Sequence, residues 1–335
     1  MGAGRITIED VAAAAGVSRQ TVTRAMNGLP EISPRTRELV LRTAAELGYR
    51  PSRFASNLAA RRKTRSVGLV LGSLRNPYYT ELAAELLDVA APRGWHVLMA
   101  SREQGDDVEL VATLSGQADV IVGYFTGDEA ALVAAARGVP LIQMERPVAV
   151  PGLHAVVLDF DAAVEALLAE LRDRGARRFG LIESGRPPGE DGAGEYRPTG
   201  RRLAYERFAG PDSAGRVVVA DESIRGGADG LARLRAAHPD VDTVLVFNDL
   251  MAMGAMQRAQ LDGVAVPGDL RVVGVDGLAL GAVMTPPLST LSIDRHALAT
   301  EAADLAGALL DRAEPPPHPS VVRTVTPRPL WRESA

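Results

Sequence analysis

The sequence predicts two unlike parts, a small all-α head followed by a larger α/β body of two lobes. Three observations carry this. The chain has 335 residues, more than one ordinary core organises, which points to two or three domains. Helix start and stop signals crowd the stretch up to residue 50, whereas from residue 66 onward short apolar strands alternate with amphipathic helices. Charge divides at the same place. Residues 1–65 hold twelve Arg and Lys against five Asp and Glu, a net +7, and the remainder carries 25 against 37, a net −12. A basic head on an acidic body points to a polyanion partner for the head alone.

Composition excludes several classes. The chain is 46% hydrophobic and 24% charged, as a globular protein is, and no apolar run approaches the roughly 18 residues that a membrane helix needs. No membrane partner is therefore expected. The opening MGAGRITIED has no apolar stretch behind its basic residue, so no secretory signal is expected there. Zero cysteines exclude disulfides, cysteine-ligated zinc and thiol catalysis. The expected location is the cytoplasm.

In the head, Thr7-Ile8-Glu9-Asp10 has the form of a capping box with Asp in place of the usual Glu or Gln. Val11, Ala12 and Ala15 follow at helical spacing, and Gly16 stops the helix. Ser18 caps a second helix over residues 19–26, ended by Asn27-Gly28. Ser33-Pro34 starts a third, which offers Val40, Ala44 and Leu47 to a small core and closes at Gly48. Three short helices, the first pair joined by a tight turn, match helix-turn-helix geometry. In the second helix Val22 and Ala25 face the core, while Arg19, Gln20 and Arg24 lie on the opposite side, where no core needs them. Arg bonds guanine and Gln bonds adenine in bidentate fashion. Thr7, Ser18 and Thr21 suit phosphate contacts, which fix register without reading sequence.

Arg50-Pro51-Ser52 breaks the third helix, Ser52 can cap a short fourth one over residues 52–60, and Arg61-Arg62-Lys63-Thr64-Arg65 forms a basic linker. The run ITIEDVAAAAGVSRQTVTRAMNG, then ISPRTRELVLRTAAELGYRPSRFASNLAARR, resembles the head and hinge helix of the LacI/GalR (lactose-repressor) family without a gap. The resemblance implies that Arg19, Gln20 and Arg24 read bases. It also implies that Leu58 wedges into the minor groove at the operator centre, and that Ala55 lets two hinge helices of a dimer approach.

In the body, strands are expected at 67–71, 95–99, 119–122 and 139–142, then at 156–158, 178–182, 216–219, 243–246 and 271–274, with a helix over 81–91. These are too many strands for one sheet, so two lobes are expected. The pattern resembles the family's body, which is similar to periplasmic sugar-binding proteins (type I). The expected division is a head over 1–50, a hinge helix and linker over 51–65, and an effector-binding and dimerisation domain over 66–335. Its N-lobe would take about 66–158 and 289–317, and its C-lobe about 159–288 and 318–335.

Ligands of such sheets bind outside the carboxyl ends of the strands. By position the resemblance implies effector-binding roles for Asn248, Asp276 and Arg202, with Asp159, Tyr78, Tyr79, Glu145 and Arg146 as further candidates. Asp249 either caps the helix that follows it or binds the ligand, and Asn76-Pro77 has turn chemistry of its own. Two departures from the family's pattern bear on the ligand. The stretch Asp221-Glu222-Ser223-Ile224-Arg225 lacks the aromatic that many relatives place there, and the 184–200 loop is long and rich in Gly, Pro and acid. Arg146, Arg202 and Arg225 together would favour an anionic sugar or sugar phosphate.

The expected function is a sequence-specific DNA-binding transcriptional regulator, a repressor, holding a pseudo-palindromic double-stranded operator as a homodimer. A small-molecule effector, a sugar or sugar derivative, controls its affinity, with the sign of that control left open. No leucine heptad follows Pro329, so the tetramer-forming tail of some relatives is not expected. The alternative is a solute-binding protein without a DNA role. An enzyme is not expected. No Gly-rich phosphate fingerprint follows the first strand, no GxSxG occurs, and no histidine pair has metal spacing, so neither cofactor nor metal is expected.

Overall fold

The structure, a computed structural model, describes residues 7–26, 32–47, 65–185, 198–311 and 319–335. In the head, α1 (Ile8–Ala15) starts on the expected capping box. The Thr7 amide and hydroxyl both donate to Asp10 Oδ2, at 2.7 and 2.8 Å, and the Asp10 amide donates back at 3.3 Å. Gly16 ends it in the left-handed conformation, φ 65°, that only glycine adopts without cost. Helices α2 (Arg19–Met26) and α3 (Pro34–Glu46) complete the bundle, and all three touch one another. Val11, Ala12, Ala15, Val22, Ala25, Val40 and Ala44 form its core. Such a core of small side chains suits a reading head whose helices must approach closely.

The first sheet of the body takes β1 (Ser66–Leu71), β2 (His96–Ser101), β3 (Val120–Gly123), β4 (Leu141–Glu145), β5 (Leu153–Leu158) and β11 (Val322–Val325). Its order is β11-β5-β4-β3-β1-β2, every pairing parallel. The second takes β6 (Phe179–Ser184), β7 (Val217–Ala220), β8 (Thr243–Val246), β9 (Arg271–Asp276), β10 (Ser289–Ser292) and β12 (Arg328–Leu330). Its order is β12-β10-β9-β8-β6-β7, parallel except for the antiparallel β12. Central strands such as β1 are buried throughout, which is why they read as unbroken apolar runs.

Between the strands lie α4 (Pro77–Ala90), α5 (Asp107–Ser115), α6 (Glu129–Ala136), α7 (Phe160–Asp173), α8 (Gly200–Ala209), α9 (Ile224–Ala237), α10 (Asp249–Leu261) and α11 (Arg295–Leu310). The α4 and α11 helices pack together, as do α7 with α8 and α9 with α10. The last pair approaches through glycine. A Cβ on Gly254 would stand 1.7 Å from the Ile224 carbonyl oxygen, and one on Gly227 would stand 1.9 Å from that of Met251.

The chain crosses between the sheets after β5, after β10 and after β11. Two expected boundaries are corrected. Residues 289–292 were expected in the N-lobe, but β10 continues the second sheet beside β9 before the chain crosses. Residues 322–325 were expected in the C-lobe, but β11 pairs along the edge of β5 in the first sheet. The strands 289–292, 322–325 and 328–330 carry little apolar signal because they are short and lie toward sheet edges.

Candidate functional site

The head presents one polar face. Arg19 and Gln20 are exposed and Arg24 is half-buried, while Val22 and Ala25 on the other side of α2 are sealed in the core. Arg19 lies 3.3 Å from Glu9 in an exposed ion pair, a contact weak enough to yield to a stronger partner. Ser18 and Thr21 share a 2.9 Å hydroxyl contact, and the Thr21 amide donates to Ser18 Oγ at 3.1 Å. Thr7 is likewise engaged with Asp10. The three expected phosphate ligands thus fix the starts of α1 and α2. Ala55 and Leu58 lie outside the described residues.

In the body, both sheets reverse strand order beside their first strand, between β1 and β3 and between β6 and β8. Ligands bind at such switch points, beyond the carboxyl ends. The polar groups that collect there come from those ends. After β1, Asn76 caps α4, its Oδ1 accepting from the Tyr78 amide at 3.0 Å. The Tyr78 hydroxyl donates to Glu145 Oε1 at the end of β4, and that of Tyr124, just after β3, donates to the same oxygen at 2.7 Å. The Tyr79 ring stands edge-on between the other two, with centroids at 5.4 and 4.9 Å. Burial first, and then the Glu145 charge, push all three phenols above their usual range, so they act as donors. Glu145 itself takes a left-handed φ of 65°, backbone strain of the kind that gathers at functional sites.

From the second sheet, Asp276 closes β9 and is 2% exposed. Arg201 Nη2 stands 3.9 Å from its Oδ1, and the Arg201 guanidinium lies over Phe160 and Phe247 at 4.8 and 4.2 Å from their ring centroids. Burial pushes the Asp276 carboxyl well up, with Arg201 opposing and Asp249, Glu145 and Glu222 adding to the rise. Burial works against the charge on Arg201, but Asp276, Glu145, Glu183 and Glu222 outweigh it and keep the guanidinium protonated. Arg201 Nε and Asp276 Oδ2 are buried with no hydrogen-bond partner among the described residues. One donor and one acceptor held side by side and unsatisfied match a ligand hydroxyl pair.

The two lobes also touch here. Glu222 Oε1 accepts from Asn248 Nδ2 at 2.9 Å and from Asn76 Nδ2, in the other lobe, at 3.3 Å. Asn248 caps α10 as well, accepting from the Met251 amide at 2.8 Å. Of the two roles open for Asp249, it fills neither. Fully buried, it accepts from the Leu278 amide and the Thr290 hydroxyl, both at 2.7 Å, and so fixes the turn that follows Asp276.

The structure thus brings Tyr78, Tyr79, Glu145, Asn248 and Asp276 together, but not Arg202, Arg146 or Asp159. Arg202 donates to Glu206 at 2.7 Å, and Arg201 takes the place in the cleft. On a helix residues four apart share a face. Arg201 shares one with the buried Tyr205, whereas Arg202 shares one with Glu206, so the spacing distinguishes the arginine that turns toward the cleft. Arg146 is exposed and donates to the Phe125 carbonyl at 3.1 Å. Asp159 caps α7 through the Ala162 amide at 3.1 Å. Arg225 pairs with Asp229 on the exposed side of α9, so the three arginines expected to favour an anion do not converge. Tyr124, Arg201 and Glu222 carry no motif of their own and were missed.

A three-helix DNA-reading head joined to a two-lobed body with a polar interlobe cleft defines a ligand-responsive transcriptional regulator. Residues 7–52 match the family of bacterial regulatory proteins called the lacI family, and residues 168–335 match a periplasmic binding protein-like domain. The HTH-type transcriptional regulator CelR of Thermobifida fusca is 31% identical over 319 residues, covering 92% of each chain. Catabolite control protein A of Priestia megaterium is 28% identical over 292 residues, covering 85% of this chain and 87% of that one. The crystal structure of a LacI family transcriptional regulator from Arthrobacter sp. FB24 in complex with lactose superposes with a TM-score of 0.71 at 30% identity. It covers 82% of this chain and 99% of that one. The chain belongs to the lacI family of bacterial regulatory proteins.

Proposed function

We propose that this regulator binds a pseudo-palindromic operator as a homodimer, acts as a repressor in the cytoplasm without catalysing a reaction, and changes operator affinity when a sugar enters the interlobe cleft. The observation that carries the effector half is the buried, unpartnered pair Arg201 Nε and Asp276 Oδ2, which asks for a hydroxyl-bearing ligand. The lactose bound to the Arthrobacter regulator supports the sugar class. In the head, Arg19, Gln20 and Arg24 read base edges, while Thr7, Ser18 and Thr21 hold the helix starts against phosphates. Ala55 and Leu58 serve as the minor-groove hinge. In the body, Tyr78, Tyr79, Glu145, Asn248 and Asp276 contact the effector, joined by Arg201, Tyr124 and Glu222.

Coupling runs through the lobes, because a ligand held by both sheets favours one interlobe angle over another. The test is selection of bound duplexes from a random DNA pool, with and without a sugar panel. The expected result is a two-fold symmetric site whose recovery changes with at least one sugar. An asymmetric site, or recovery indifferent to every sugar, would overturn the dimer or the effector half respectively. A domain of 66–335 that binds the panel with no DNA dependence in the full chain would instead favour a solute binder.

A further inference from the structure

We propose that the effector joins hydroxyl groups to a protonated amine, as an aminated sugar does, and that Glu145 and Glu222 select the amine. This rests on the sugar-binding reading above and names the class of sugar.

The charge of the cleft carries it. Around the Tyr79 phenol gather the carboxyl groups of Glu145, Glu222 and Asp276, the last pushed toward its neutral form by burial, and one guanidinium, that of Arg201. The nearby cations have their own partners. Arg202 is held by Glu206, and Arg295 lies 2.8 Å from Glu81 while it donates to the Asp276 and Gly277 carbonyls. Arg201 stands beside Asp276, and its single charge is shared among Asp276, Glu145, Glu183 and Glu222. Among the described residues that leaves Glu145 and Glu222 with no ion pair of their own and more carboxyl groups than cations around the cleft.

The groups that do bond them are neutral. Glu145 receives two tyrosine hydroxyls, and Glu222 receives the amides of Asn76 and Asn248 and, at 3.4 Å, the Ser184 hydroxyl. Neutral donors orient a carboxylate without cancelling its charge. The second observation is independent of these two. Asp276 Oδ2, buried and unpartnered, marks the same space as a place for a ligand. A neutral sugar fills the Arg201–Asp276 pair but leaves the surplus charge standing, an anionic sugar adds to it, and an amine among hydroxyls meets both demands.

The test uses the full chain at neutral pH, with calorimetric titration and thermal shift on matched pairs. The pairs are glucosamine with glucose, galactosamine with galactose, and the β-1,4-linked glucosamine dimer with cellobiose; the N-acetylated and 6-phosphorylated forms are included as uncharged and anionic members. The expected result is that in at least one pair the aminated member binds about tenfold or more tighter, equivalent to about 1.4 kcal/mol. Glu145→Gln and Glu222→Gln should each shrink that preference severalfold, read as the ratio within a pair, and Arg225→Ala, outside the cleft, should leave both the ratio and the affinities unchanged. The wild-type comparison stands even if a variant fails to fold. Neutral or phosphorylated members that bind as tightly as the aminated ones would overturn the charge argument and leave the sugar-binding reading intact. Failure of every sugar to bind would overturn both.

Discussion

Gly254→Ala, a substitution that ordinarily stabilises a helix, is expected to destabilise this body. Replacing glycine by alanine within a helix gains about 1 kcal/mol of helix propensity. Here the new methyl would sit 1.7 Å from the Ile224 carbonyl oxygen and 3.1 Å from the Ala228 nitrogen, both backbone atoms of the neighbouring helix. A carbon meets a carbonyl oxygen at roughly 3.3 Å, so α9 and α10 must part by about 1.6 Å. A gap of even 1 Å forfeits up to about half of each contact's attraction. The contacts at stake are those of the buried cluster that holds Leu231 and Leu234 of α9 with Met251, Ala252 and Ala255 of α10. Overpacking against backbone belongs at or above the usual limit of about 3 kcal/mol, so the net loss is about 2 kcal/mol or more. Urea unfolding followed by the fluorescence of Trp95 and Trp331 measures it, and Gly215→Ala, with open space around it, is the neutral control. A midpoint equal to or above that of the wild type would refute the reasoning. Because α10 begins at Asn248 and Asp249, the same variant should also weaken the response to effector.

Three further outcomes are expected. Arg201→Met should cut effector affinity about ten- to a hundredfold, the value of a charge-assisted bond, while Arg202→Met should change it less than about threefold in the same titration. Burial pushes the Asp249 carboxyl up to about 6, so the folded chain keeps a proton there that the unfolded chain has released. Stability should therefore fall as pH rises from about 4 toward about 6 and lose this dependence above, and Asp249→Asn should flatten the profile of Tm against pH over that window. Leu58→Ala should weaken binding to the selected operator far more than to non-specific duplex, and equal losses in fluorescence anisotropy would show that Leu58 does not act as a wedge.

The head was legible almost to the residue, because its signals are local. Thr7 and Asp10, Gly16, and Ser33 with Pro34 act on the backbone beside them. The first nine body strands were legible as apolar runs, the inner ones because a parallel sheet buries both of their faces. The lobe boundaries were not, because β10 and β11 are placed by partners 16 to 167 residues away rather than by their own pattern. The cleft was read in part. Asn248 and Asp276 stand at strand ends that announce themselves, but Tyr124 and Glu222 matter only through what a third strand brings to them. The arginine that faces the cleft stands one position before the expected one, in a doublet whose register Tyr205 and Glu206 four residues on resolve.

The interleaving of the sheets bears on how such a body can be exchanged between relatives. Residues 322–330 supply an edge to the first sheet and then to the second. Neither lobe is one continuous segment, so no single cut transplants one lobe without the other. A junction near residue 65 separates a whole body from a whole head, whereas any junction between Ser66 and Leu330 leaves a sheet with strands of mixed parentage. Ligand choice and DNA choice can therefore be recombined freely, but the two walls of the cleft must travel together.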